Sequence, residues 1–166
     1  MNEYHRLSSA SEQRCYNGIV EFIESYQTEW LFRNLSFAFV SEVYKSVLDN
    51  HPEYFWLSYE CSGTTKTGNG QSVLMFRPKF EFPISQINDI RRMFDRTVDT
   101  LVSKAKNSTT LLYEQMLYLH DYMVLHTDYV INAAHCYDAY GCLVQHHAVC
   151  ARYAAAFQVL MNKIGI

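Results

Sequence analysis

The segment that begins at Cys150 most constrains the fold of this chain. Its apolar residues recur at steps of three and four, at Val149, Tyr153, Phe157, Leu160 and Ile164. This spacing is typical of one buried face of an α-helix. The segment is also rich in alanine and has no Pro or Gly before Gly165. It therefore predicts a helix that packs along one side.

Cys150 stands at the start of this predicted helix, about 100° around the axis from the apolar stripe. Backbone N–H groups in a first turn are unpaired, and the positive end of the helix dipole favours a thiolate there. A thiolate attacks carbonyl carbon, and the same N–H groups can stabilise an oxyanion. Cys150 is therefore the candidate nucleophile, and a small buried structural cysteine is the alternative.

Three stretches, in order along the chain, resemble the transglutaminase-like superfamily, whose fold is papain-like. Residues 149–154, VCARYA, are similar to the family's nucleophile helix, which has the pattern aliphatic-Cys-x-Gly-Tyr-Ala. Residues 119–124, LHDYMV, followed by Tyr129, resemble the helix before the active site. Residues 49–57, DNHPEYFWL, resemble a segment that precedes this domain in bacterial members. The sequence departs from the family pattern at Arg152, where Gly is usual.

The resemblance implies acyl transfer through a cysteine thioester, with a glutamine side chain or a peptide bond of a protein or peptide as substrate. Cys150 would be the nucleophile, and no cofactor is needed. The family's catalytic His and Asp lie on strands that follow the nucleophile helix, so the resemblance implies a domain truncated at Ile166, without its base. Tyr140 is a candidate for stabilising the oxyanion, and simple packing of Tyr140 is the alternative.

The expected fold is mainly α with one β-hairpin. Residues 1–106 are predicted to form an N-terminal helical and hairpin region, and residues 107–166 the helical front part of an α+β transglutaminase-like domain. Without the following sheet, the apolar face of the Cys150 helix, or its flank at Ala154 and Met161, is expected to lack a partner. A homodimer through that helix is the predicted consequence.

Helix and strand patterns organise the rest of the chain. Ser9 and Glu12 form a capping box, and a first helical stripe is expected to run as far as Trp30. A second helix is expected to stop before Pro52. Strands at 54–60 and 72–80 flank turn residues and predict the hairpin. Helices are then expected from Pro83 to about Lys106 and, capped by Ser108, Thr109 or Thr110, up to about His126. Residues 127–148 are predicted to be a partly irregular connection.

Two other classes of function remain open. One is a non-catalytic scaffold or binding module, which would keep the fold without the reaction. The absence of the family's catalytic His and Asp favours this class. A structural zinc domain is the second alternative, because soft ligands are concentrated at His135, Cys136, Cys142, His146, His147 and Cys150. Their spacing does not match the usual paired cysteine knuckles. His146 or His147 as a local base is disfavoured, because triad members normally come from separate elements.

Composition limits the partners and the compartment. Fourteen basic and seventeen acidic residues give a net charge of −3, without a basic run, so no nucleic-acid partner is expected. No apolar run is long enough to span a bilayer. The polar opening, residues 1–6, leads into no signal peptide, which predicts a cytoplasmic protein, or a secreted one if a signal was removed. The odd number of cysteines, five, does not indicate a disulfide framework.

Overall fold

The computed structural model describes residues 9–166, except for the side chain of Ala151. The helices are α1 (Ala10–Glu24), α2 (Phe37–Asn50), α3 (Ile84–Ser108), α4 (Leu112–His126) and α5 (Cys150–Ile164), and a π-helix spans Gly141–Gln145. The strands are β1 (Trp30–Arg33), β2 (Leu57–Gly68), β3 (Gln71–Phe80), β4 (Asp128–Tyr129) and β5 (His147–Ala148). The chain is thus mixed α and β with helix predominating, as the sequence predicts at this coarse level.

The chain divides into two compact units, the first ending at Ile84 and the second running from Ser85 to Ile166. This division places α3 in the second unit. The sequence places its own boundary later, after Lys106, and that assignment of domains stays a prediction.

The first unit begins with the predicted capping box. The Ser9 hydroxyl accepts from the backbone N–H of Glu12, and the Glu12 carboxylate accepts from the backbone N–H of Ser9. The expectation that the helical stripe continues to Trp30 is wrong, because α1 ends at Glu24 and Tyr26 adopts a positive φ of 53°. Trp30 instead begins β1, where its side chain is fully buried.

Three antiparallel strands in the order β1-β3-β2 form the sheet of this unit. The predicted hairpin is confirmed as β2 and β3, but the predicted bounds of its first strand, 54–60, are wrong, because β2 runs from Leu57 to Gly68 and pairs with β3 along residues 61–68. The turn is confined to Asn69 and Gly70, which have φ values of 49° and 73°. Two successive positive φ angles are typical of the type I′ turn that Asn-Gly favours. The sequence analysis missed β1, which has only four residues. In the core, Trp30 stacks on Phe76 of β3 with the ring centroids 5.4 Å apart.

The second unit contains the long α3, the shorter α4 and α5, and the connection that precedes Cys150. The predicted side-chain cap of α4 is wrong: its N-cap residue is Leu111, which makes no side-chain cap bond. The Thr109 hydroxyl accepts from the backbone N–H of Leu111 at 3.2 Å and donates to the carboxylate of Glu114. Thr109 therefore supports the first turn from two positions before the N-cap.

Two further expectations concern membranes and export. Within residues 9–166, no helix is both long and apolar enough to cross a bilayer. The polar opening, residues 1–6, lies outside the described residues.

Candidate functional site

Cys150 is the first residue of α5, as the sequence predicts, and its side chain is exposed with a free thiol. The residue before it, Val149, is the N-cap residue, with an extended conformation and no side-chain cap bond. The carbonyl of Val149 accepts from the backbone N–H of Arg152 at 2.9 Å and closes the first turn. The thiol thus lies at the N-terminus of α5 and is accessible to solvent.

Two short parallel strands hold the chain just before Cys150. In this pair Asp128 lies opposite His147, and Tyr129 lies opposite Ala148. The hydroxyl of Tyr153, in the first turn of α5, donates to the carbonyl of Thr127 beside β4. Residues on both sides of Cys150 are therefore tied to the chain that leaves α4, which fixes the start of α5.

The connection is packed most closely at Gly141, the first residue of the π-helix. A Cβ atom added at Gly141 would lie only 1.9 Å from the carbonyl oxygen of His135 and 3.1 Å from that of His147. The residue that follows the π-helix, His146, is its C-cap and adopts a left-handed conformation with φ at 62°. Only glycine allows this approach of two backbone segments, so Gly141 sets the path of the chain towards Cys150.

His135 and Asp138 form a pair that the sequence analysis did not identify. The Nδ1 atom of His135 lies 3.0 Å from Oδ2 of Asp138, while Oδ1 of Asp138 accepts from the backbone N–H of Gly141 at 2.8 Å. The exposed fractions of the two side chains are only 20% and 14%. The backbone N–H of Val149 donates to the carbonyl of Cys136 at 3.1 Å. This hydrogen bond joins the residue after His135 to the residue before Cys150.

Tyr140, the candidate for stabilising an oxyanion, is buried. Its hydroxyl donates to Sδ of Met93 on α3 at 3.7 Å, and its ring meets that of His135 edge to face. Burial, with the nearby charge of Asp138, raises the pKa of Tyr140, so its hydroxyl keeps its proton at neutral pH. Tyr140 thus remains a hydrogen-bond donor, and its role at an oxyanion stays a prediction.

The other histidines near the site contact backbone or lie on helices. The ring nitrogens of His147 lie 3.1 Å from the carbonyl oxygen of Gln145 and 2.7 Å from that of Ala134. This position between two carbonyls gives His147 a structural role. On α4, Nδ1 of His120 lies 3.0 Å from the carboxylate of its neighbour Asp121.

The cysteines of the connection differ from Cys150. Cys136 and Cys142 are buried, and burial raises the pKa of the Cys142 thiol to about 11. In the part of the chain that the structure describes, no group of three or more His, Cys, Asp or Glu side chains is placed to hold a metal ion. The zinc alternative therefore has no ligand set among these residues.

The apolar face of α5 is largely covered by the chain itself. Leu160, Met161 and Ile164 are buried, whereas Val149, Tyr153 and Phe157 are half-buried. Ala154 is exposed. The expected open face is thus reduced to its N-terminal part, and pairing of two copies through this helix stays a prediction.

No model of a protein family matches the chain, and no curated protein sequence matches it significantly.

Proposed function

We propose that the chain acts through Cys150 as the nucleophile of a transglutaminase-like acyl transfer. The thiolate would attack the carbonyl carbon of a glutamine side chain or peptide bond, the C–N bond would break, and the departing amine would take a proton. The resulting thioester would pass its acyl group to an amine or to water. The observation that carries the proposal is the exposed thiol at the first residue of α5.

Among the residues that the structure describes, we propose His135 as the proton acceptor. Asp138 lies against Nδ1 of His135 and accepts from the backbone N–H of Gly141. An acid that orients a histidine beside the nucleophile is the arrangement of a catalytic triad. The bond between Val149 and Cys136 brings this turn beside Cys150. In the family that the sequence resembles, a later His fills this role.

Thiol labelling tests the nucleophile. During brief exposure of the folded protein to iodoacetamide near pH 7, we expect Cys150 to react roughly ten-fold faster than the half-buried Cys61, because the Cys150 side chain is exposed and access of the reagent controls the rate. Peptide mass spectrometry gives the rate at each cysteine. Faster labelling of Cys61 than of Cys150 would remove the basis of the proposal.

Incorporation of a fluorescent primary amine into a glutamine-containing protein tests the reaction itself. The wild-type chain should form the product, and Cys150→Ser should abolish it, while the matched Cys61→Ser should leave it unchanged. His135→Gln should lower both amine incorporation and the labelling of Cys150 at pH 7. If His135→Gln leaves the labelling rate at its wild-type value, a histidine outside this turn is the proton acceptor.

A protein-binding module is the second candidate function, and an exposed apolar face on α4 favours it. Tyr113, Leu117 and Val124 are 65%, 39% and 58% exposed and recur at steps of four and seven, which places them on one side of the helix. Single exposed apolar residues are ordinary, but a continuous row marks a contact surface. If neither the wild-type chain nor any variant incorporates the amine, although the protein is folded and monomeric, the binding module is the favoured function.

A further inference from the structure

A cavity of about 640 Å³ lies beside α3 in the second unit, and it is rich in basic and hydroxyl side chains. Arg92, Arg96 and Lys104 supply positive charge, Thr97 and Thr100 lie among them, and Tyr122 of α4 lines the cavity as well. A volume of this size falls in the range of ligand sites, about 300–1,000 Å³. Neither the acyl transfer nor the predicted site residues account for it.

The three cations are placed at a cost to the helix. Arg92 and Arg96 are one turn apart, and like charges at that spacing destabilise an isolated helix. Asp89 offsets part of this repulsion through its contact with Arg92. Within residues 9–166, no ion pair to an acidic side chain involves Arg96 or Lys104, and both are exposed. Their charges remain available to a negatively charged ligand.

The hydroxyl groups between these cations favour a peptide over a simple anion. The Thr97 hydroxyl donates to the carbonyl of Met93 at 3.1 Å, and the Thr100 hydroxyl donates to the carbonyl of Arg96 at 2.7 Å. Their protons are directed into the helix, so these oxygens can only accept further hydrogen bonds. Backbone N–H groups of a peptide would supply such donors, whereas inorganic phosphate at neutral pH presents mainly acceptors.

The spacing of the cations sets the pattern of the ligand. Arg96 and Lys104 are eight residues apart, which corresponds to about 12 Å along a helix. An extended peptide covers that length in about four residues, and residues four apart point to the same side of it. Tyr122 is held in place by stacking on His126, with ring centroids 4.2 Å apart, and offers a flat surface to the peptide.

We infer that this cavity, which we call the α3 groove, binds an extended acidic peptide with carboxylates four residues apart. Exposed charge pairs are weak, so the affinity should be modest and should fall with salt. The groove is independent of Cys150, and its ligand need not be the acyl donor. The α3 groove is thus a local basic surface on a chain whose net charge is −3.

Fluorescence anisotropy of a labelled peptide Glu-Ser-Ser-Ser-Glu with the full chain tests the groove. We expect binding that weakens roughly five-fold in Arg96→Gln or Lys104→Gln, and more in the double variant. Lys106→Gln is the matched control, because Lys106 lies on the same helix but does not line the cavity. Circular dichroism should show all variants folded, since removing Arg96 also relieves repulsion with Arg92.

Three peptide controls make the inference refutable. The Gln-Ser-Ser-Ser-Gln analogue should not bind, and Glu-Glu-Ser-Ser-Ser, with the same charge at another spacing, should bind more weakly. Inorganic phosphate at equal ionic strength should displace the peptide poorly. Equal binding of the three peptides, equal loss of affinity in Lys106→Gln, or full displacement by phosphate would each overturn the assignment of an acidic peptide to the α3 groove.

Discussion

Replacement of Gly141 by alanine should be the most damaging methyl addition among the described glycines. The new Cβ atom would lie 1.9 Å from the carbonyl oxygen of His135, whereas real Cβ atoms essentially never approach another heavy atom closer than 3.0 Å. The turn that carries His135 must therefore move by at least about 1.1 Å, the difference between these two distances. Because the obstacle is backbone, rotation of a flexible side chain cannot relieve the contact.

The size of the effect follows from what such a shift would break. Overpacking alone costs about 1–3 kcal/mol. The hydrogen bonds from the backbone N–H groups of Asp138 and Gly141, to the His135 carbonyl and the Asp138 carboxylate, would weaken at about 1 kcal/mol each. We expect Gly141→Ala to lower the free energy of unfolding by about 3–5 kcal/mol, which is a large part of a typical total of 5–15 kcal/mol.

Gly18→Ala is the matched control, since it adds the same methyl group within α1. A Cβ atom at Gly18 would meet nothing within 4 Å, so this variant should gain about 0.5–1 kcal/mol from helix propensity. Urea unfolding should be followed by far-ultraviolet circular dichroism, because Trp30 and Trp56 both lie in the first unit and do not report on Gly141. Hydrogen exchange of residues 135–150 gives the local effect. An unfolding midpoint at or above the wild-type value, with unchanged exchange, would refute this account of the packing.

Three further predictions follow from individual contacts. Ser9→Ala should lower the free energy of unfolding by about 1 kcal/mol through loss of the cap of α1, as measured by urea unfolding. Tyr153→Phe should cost about 1 kcal/mol through loss of the bond to Thr127, whereas Tyr129→Phe, on an exposed side chain, should be neutral in the same assay. Stability should fall as pH rises from 9 towards 11, because burial raises the pKa of Cys142 to about 11 in the folded state, above the usual 9.0 of a cysteine thiol, so the unfolded chain loses that proton first. Urea midpoints between pH 8 and 11 measure this slope, and an identical slope in Cys142→Ser would contradict the assigned cause.

Elements with local signals were predictable from the sequence. The capping box at Ser9 and the stop before Pro52 each depend on residues within a few positions of one another, and both predictions are confirmed. The hairpin was also predicted, but the pairing that extends β2 to Gly68 and leaves only Asn69 and Gly70 in the turn was not. The position of Trp30 in a strand could not be predicted from local signals. Its helical spacing from Ile23 agrees with a helix, but its burial depends on stacking against Phe76, which is 46 positions away. Such a partner cannot be inferred from periodicity.

Only part of the candidate site could be predicted from local sequence patterns. The place of Cys150 follows from the local helix pattern, and the structure confirms that it begins α5. The pair of His135 and Asp138 depends on a positive φ of 60° at His135 and on the close approach of Gly141. The sequence does carry one signal for it, since Gly141 is the single glycine of the connection 127–148 and Asp138 precedes it by three residues. A lone glycine in a partly irregular segment marks a backbone constraint.

The basic residues of α3 are close together on the helix but not along the sequence. A linear count finds no basic run, because Arg92, Arg96 and Lys104 are separated by four and eight residues. At about 100° per residue these positions lie within roughly 120° of one another on a helix, so they form one basic face. Asp89 offsets part of this charge through its ion pair with Arg92, whereas Asp99 pairs with Lys163 at 3.0 Å, so the face keeps an excess of positive charge. The absence of a basic run along the sequence therefore does not exclude a short basic face on one helix, and the helical projection of these three positions predicts that face.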